Sequence, residues 1–338
     1  MTCLTALLVS LLISGRALGK LPENSPLSRY EALFDTLMGH HYGSAQEICE
    51  QMELAWPTHP AVDYGRASVI YAQLCDFEDT TGTSELEGFA ESCLTKCQAW
   101  EVRAPDSAVA EREYLTGSAC SVVGLTRHRQ GKALDGIRRL MASRNHFDKS
   151  IRMDPDFFDA YVGRGAYRFA AASNLGILRW LPIVPTKRDG WSDLMIGLKQ
   201  SKFSRFAALS AMVWFALQEE NYVLADSMVK AGLERFPESR TFWMPKLSLE
   251  KITGQWKDAR ESALVLLNQY KQLEFNNGYE VIGLYQTLVE CSDMLGDSEA
   301  ALNYARAGLA VSPTPYALER RRDTLAALRD RLAKEKPR

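Results

Sequence analysis

An alanine followed twelve residues later by proline recurs along this chain: Ala45 and Pro57, Ala225 and Pro237, Ala301 and Pro313. Tyr42 and Tyr222 precede the first two alanines by three residues. Trp256 stands in the same relation to Ala259, which lies 34 residues beyond Ala225. A period near 34 residues is that of a two-helix unit, too small to bury its own apolar face and therefore covered by its neighbours. The pattern predicts an all-α chain of antiparallel helix pairs, wound as a right-handed superhelical solenoid from about Pro26 to Ala333. Such arrays bind more often than they catalyse.

Composition narrows the function classes. Of 338 residues, 46% are hydrophobic and 24% charged, as in ordinary folded proteins. A net charge of −2, with no basic patch interleaved with aromatics, points away from nucleic acid. Leu4 to Ile13 is apolar apart from Thr5 and Ser10, and too short to span a bilayer. Ala17-Leu18-Gly19 follows with the small residues a signal peptidase accepts, although no basic residue precedes the apolar run. Residues 1–19 are expected to be a signal peptide, placing the mature chain in the periplasm or at the cell envelope with no transmembrane segment.

Beyond Cys3, six cysteines remain: Cys49, Cys75, Cys93, Cys97, Cys120 and Cys291. They permit many pairings. Cys93 and Cys97, one helical turn apart, are badly placed to bridge each other. Either the cysteines between 75 and 120 staple neighbouring helices, or all act as small buried apolar side chains.

Helices are expected over 26–41, 44–56, 61–77, 85–103, 107–129, 132–152 and 156–172. In the second half they are expected near 190–200, 203–219, 222–235, 239–252, 256–270, 277–294, 298–311 and 315–334. The last carries Leu318, Leu325, Leu328 and Leu332 as one stripe and reads as a terminal cap. The chain thus divides into an irregular helical-repeat region over 20–172, an apolar insertion over 173–189, and more regular repeats over 190–338.

Residues 203–313 resemble three tetratricopeptide repeats. Asn221, Tyr222, Ala225 and Pro237 mark the first; Trp243, Gly254, Trp256 and Ala259 the second. Gly296, Ala301 and Pro313 mark the third, with eight extra residues before Ala301. Tyr42, Ala45 and Pro57 match more faintly, as do Ser143, Phe147 and Pro155, where serine replaces the usual alanine. The run from Asp154-Pro155 through Gly163-Arg164-Gly165-Ala166-Tyr167 to Trp180-Leu181-Pro182 is similar to uncharacterised exported bacterial repeat proteins. More loosely, it is similar to the periplasmic helical component that accompanies some solute transporters. These resemblances imply a protein- or peptide-binding scaffold, or alternatively a small-ligand binder auxiliary to a transporter. They supply no catalytic residues.

The sequence holds no Gly-x-Ser-x-Gly elbow, His-Glu-x-x-His helix, phosphate-binding loop or dinucleotide fingerprint, and its five histidines make no metal-ligand spacing. We therefore read it as non-catalytic, with no cofactor and no metal. The insertion SNLGILRWLPIVPTKRD over 173–189 breaks the repeat logic, because Pro182 and Pro185 interrupt a helix and its apolar residues require cover. It either plugs the solenoid, lines a ligand pocket, or docks on a membrane or partner. Tyr161, Arg164 and Arg168 share a helical face beside it, with Tyr167 near. Lys187, Arg188 and Trp191 follow Trp180, and Arg240 pairs with Trp243 one repeat later. Aromatic walls with cationic donors suit an amphipathic anion, such as a fatty acid or an organic acid.

Overall fold

The computed structural model describes residues 25–100, 106–174 and 185–334. The signal peptide expected over 1–19 lies outside the described residues, as does most of the insertion, including Trp180. Among the described residues there are sixteen α-helices and no strand. No helix among them is long and apolar enough to cross a membrane.

After a single 3-10 turn at Pro26–Arg29, the helices are α1 (Tyr30–Met38), α2 (Tyr42–Ala55), α3 (Pro60–Asp76), α4 (Thr83–Ala99), α5 (Asp106–Arg129), α6 (Ala133–Met153), α7 (Asp159–Asn174) and α8 (Lys187–Gln200). Then come α9 (Arg205–Gln218), α10 (Tyr222–Arg235), α11 (Arg240–Ile252), α12 (Trp256–Lys271), α13 (Tyr279–Met294), α14 (Ser298–Leu309), α15 (Pro315–Arg320) and α16 (Arg322–Ala333). The chain forms two compact units. Unit 1 comprises Met1–Ala72 and Thr80–Ser239; unit 2 comprises Gln73–Asp79 and Arg240–Arg338.

One turn joins five of the helix pairs. His40, Gly131, Glu220, Gly254 and Gly296 each have a positive φ, between 56° and 80°. The next residue then donates its N–H to the carbonyl five positions back: His41 to Thr36, Lys132 to Arg127, Asn221 to Ala216, Gln255 to Glu250 and Asp297 to Ser292. This is the Schellman closure, which satisfies the carbonyls left over at a helix end. That same residue caps the next helix, and its carbonyl accepts from Ala45, Gly136, Ala225, Ala259 and Ala301 respectively. All five are buried. The recurrent small residue is thus the point where the second helix of a pair meets the first. At α5–α6 the approach is tightest: a methyl group on Gly136 would lie 2.7 Å from the Gly124 carbonyl.

The prolines close the opposite ends. Trp56, Asp154 and Phe236 end α2, α6 and α10 with backbones outside the helical region, which a following proline disfavours. Their carbonyls accept from His59, Phe157 and Ser239 across Pro57, Pro155 and Pro237.

In unit 1, Tyr30, Phe34, Tyr64, Tyr114, Phe147, Phe157 and Phe203 form an aromatic core. Buried Asp159 at the start of α7 accepts the N–H groups of Lys202, Phe203 and Ser204 at 3.1, 3.1 and 2.8 Å, tying α7 to the entry of α9. The core of unit 2 is Leu247, Ala263, Leu266, Tyr270, Leu284 and Leu288 with their neighbours. The eight extra residues before Ala301 appear as the connection around 272–278, where Asn277 donates to the Phe77 carbonyl at 2.7 Å.

The last helix differs from expectation. It breaks at Arg321, whose guanidinium stacks 3.8 Å from the Tyr279 ring centre while its Nε donates to the Tyr279 carbonyl at 2.8 Å. Leu325 and Leu328 still cover the final apolar face, but Leu318, on the far side of the break, is 49% exposed. The six cysteines are free thiols, all buried except half-buried Cys75.

Candidate functional site

The candidate residues fall into three groups. The first lies where α6, α7 and α8 meet in unit 1. Gly165, Gly190 and Gly197 let α7 and α8 pack closely; a methyl group on Gly165 would lie 2.9 Å from Asp193 Cβ. This closeness brings buried Asp193 under the guanidinium of Arg164. Arg164 Nε and Nη2 donate to its two carboxylate oxygens at 2.8 and 2.7 Å. Arg168 Nη1 donates to the same carboxylate at 2.9 Å. Asp148 of α6 completes the cluster, 3.3 Å from Arg164 and 2.9 Å from Arg144.

The Tyr161 ring lies 4.8 Å below the Arg164 guanidinium, and its hydroxyl donates to the Pro155 carbonyl. Tyr167 is half-buried on the same helix. Burial pulls the Arg164 pKa down, but the bonds and charge of Asp193 and Asp148 outweigh it, so its pKa stands above the ordinary value. Burial also raises the Tyr161 phenol. Three guanidinium groups thus face two carboxylates, leaving one positive charge in excess. Arg168 spends one of its five donors on Asp193, while its Nη2 lies 3.7 Å from Asp148.

The second group frames the start of α8. Thr186 and Asp189 form a reciprocal capping box there. Lys187 and Trp191 both reach Glu219, at 3.3 and 2.8 Å. Phe169 lies stacked on Phe215 at 3.8 Å, with Trp191 edge-on and the Lys187 ammonium 5.2 Å from its ring. Arg188 is exposed.

The third group, Arg240 and Trp243, belongs to unit 2. Arg240 Nε and Nη2 grip Asp76 at 2.9 and 2.5 Å, with Tyr270 donating to Asp76 at 3.0 Å. Both members of the pair are buried. Trp243 packs on the unit 2 core under the ammonium of Lys246. Sequence reading passed over Asp148, Asp193 and Asp76. Asp193 was the findable one, since it sits on the inward stripe of α8 between Gly190, Leu194 and Gly197. A carboxylate there needs a cation from the facing helix.

No protein-family model matches the chain, and no curated protein matches it. Two solved structures are similar in outline. The C-terminal part of a TPR repeat-containing protein from Cytophaga hutchinsonii is 14% identical with a TM-score of 0.42, over 86% of this chain and 98% of that one. The Cut9–Hcn1 hetero-tetramer of the APC/C is 12% identical with a TM-score of 0.45, over 92% of this chain and 66% of that one. The repeated Schellman turn, small contact residue and closing proline give the described residues a tetratricopeptide-like helical-repeat fold.

Proposed function

We propose that this chain is a non-catalytic scaffold that binds a protein or peptide partner, working after export to the periplasm or cell envelope. Export rests on the apolar run Leu4–Ile13 and the Ala17-Leu18-Gly19 site. Binding rests on the α6–α8 cluster. Buried Asp193 holds Arg164 and Arg168 in place beside Tyr161, so donors are oriented before a partner arrives, which lowers the ordering cost of binding. The excess positive charge selects a carboxylate, either an acidic side chain or a chain terminus.

The test is to pan a displayed random-peptide library on the purified chain and measure the selected peptides against Arg168→Gln. Acidic residues should be enriched, and the substitution should weaken binding about tenfold, one charge-assisted contact. A library without enrichment, or indifference to Arg168→Gln, overturns the reading. The same cluster also suits a small amphipathic or organic anion. A mass excess in native mass spectrometry that leaves on denaturation would assign the cluster to that ligand instead.

A further inference from the structure

The longest hairpin in the described chain carries an uncovered face. Helices α5 and α6 have 24 and 21 residues, whereas the following pair, α7 and α8, has 16 and 14. The seven residues by which α6 exceeds α2 or α10 add about 10 Å of helix. They lie before Ser143, since Ser143 stands twelve residues before Pro155, whereas the turn places the small contact residue at Gly136. One heptad has therefore been added between two equivalent contact positions, which keeps the inward face in register and lengthens the hairpin.

The outward face of that added length is apolar. Leu134 is 76% exposed, Ile137 48% and Met141 53%. A lone exposed leucine needs no explanation. Three at positions i, i+3 and i+7 form a stripe. Arg138, Asn145 and Arg152, all exposed, continue it within an arc of about 100° and a length of about 27 Å. The carboxylates around it are already engaged. Asp135 pairs with Arg127, Glu91 with Arg139, Asp148 with Arg144, and Glu113 with Lys149. From 125 to 141 the sequence has five basic residues and one acidic residue, Asp135.

We infer that the outward face of α6 docks an acidic amphipathic helix of a partner protein. Its apolar residues would cover Leu134, Ile137 and Met141, and its carboxylates would meet Arg138 and Arg152. A straight stripe along a helix flank, apolar over Leu134, Ile137 and Met141 with Arg138 beside them and Arg152 beyond, matches a second helix laid beside it. A membrane would be met by a broad apolar face whose buried area sets the binding strength, whereas Leu134, Ile137 and Met141 occupy only about 10 Å of helix. The inference extends the scaffold reading but uses a surface that does not include Arg164 or Arg168.

The probe is a synthetic helix-forming peptide of about five turns with leucines at i, i+3 and i+7 flanked by glutamates. It is titrated against the full chain by fluorescence anisotropy beside a scrambled control and a version with lysines for glutamates. The glutamate peptide should bind best. Ile137→Gln with Met141→Gln, or Arg138→Glu alone, should weaken it about tenfold or more. These side chains are exposed, so the thermal midpoint should stay unchanged. Arg168→Gln should leave this binding intact, which separates failure here from failure at the α7 cluster.

Equal affinity for the scrambled peptide, or variants that bind like wild type, overturns the inference. So does a concentration-dependent dimer abolished by the same substitutions, which would give the face to a second copy. So too does substitution-sensitive sedimentation with phosphatidylserine vesicles in the absence of peptide binding.

Discussion

Two clusters in this molecule use the same chemistry to opposite ends. In unit 2, Arg240 grips Asp76 with two donors, Tyr270 covers the pair, and both side chains are buried. In unit 1, Arg164 grips Asp193 with the same two-donor geometry, but Arg168 joins from the solvent side and Asp148 and Arg144 extend the network outward. The first cluster balances its charges and closes. The second carries an extra cation and stays partly open. Bidentate geometry alone therefore does not separate the lock in unit 2 from the binding site we propose in unit 1; the separation rests on charge balance and solvent access.

The largest effect expected from this contrast is at Arg240. Arg240→Met leaves Asp76 buried without its cation, which costs about 3–5 kcal/mol. Adding Asp76→Leu should recover most of that loss, because a buried pair replaced as a whole is close to neutral. Chemical denaturation of the two variants checks this. A single substitution costing no more than a surface pair would remove the distinction between the two clusters.

Much of the fold could be read from the sequence because the repeat writes its contacts as residue types. Ala225 and Ala301 had to be small where helices cross, and Pro57 and Pro237 had to end helices. The turns were harder to read, since the left-handed position is filled by His40 and Glu220 as readily as by Gly254. The break at Arg321 was hidden, because its cause is the Tyr279 ring 42 residues away in sequence. At the candidate site the arginines and aromatics were legible from helical spacing. Their carboxylate partners were not, because Asp193 and Asp76 reach them only through tertiary packing.

A second, smaller effect concerns a half-buried glutamate in each unit. Burial raises Glu111 in unit 1 and Glu280 in unit 2 from 4.5 to about 7. In each case the folded state favours the protonated form. The stability this contributes is complete below pH 4.5 and is lost as pH rises through about 7. Arg321 lies 3.5 Å from Glu280, whereas Glu111 faces His59 at 3.5 Å. Burial lowers His59 to about 4, so it adds no cation at neutral pH. Glu111→Gln should thus raise stability at pH 8 by an amount on the order of 2–3 kcal/mol, and by little at pH 5. Glu280→Gln should gain less, because it also gives up Arg321. Thermal midpoints of both variants across this range test the difference, and a larger gain at pH 5 than at pH 8 for Glu111→Gln would reverse the assignment.

The smallest stability effect should come from Arg168→Gln, and its smallness carries the functional argument. Asp193 keeps both oxygens bonded to Arg164 after the change, so no buried carboxylate is stranded. Arg168 is partly exposed, at 23% of its side chain, so solvent screens what its ion pair contributes. The expected loss is within about 1 kcal/mol, against several for Arg240→Met. An arginine that can be removed at so little cost to the fold, yet is held in a fixed orientation by a buried carboxylate, is free to serve a partner. If denaturation shows Arg168→Gln to be as damaging as Arg240→Met, the unit 1 cluster is a second structural lock and the acidic partner must be sought on another surface.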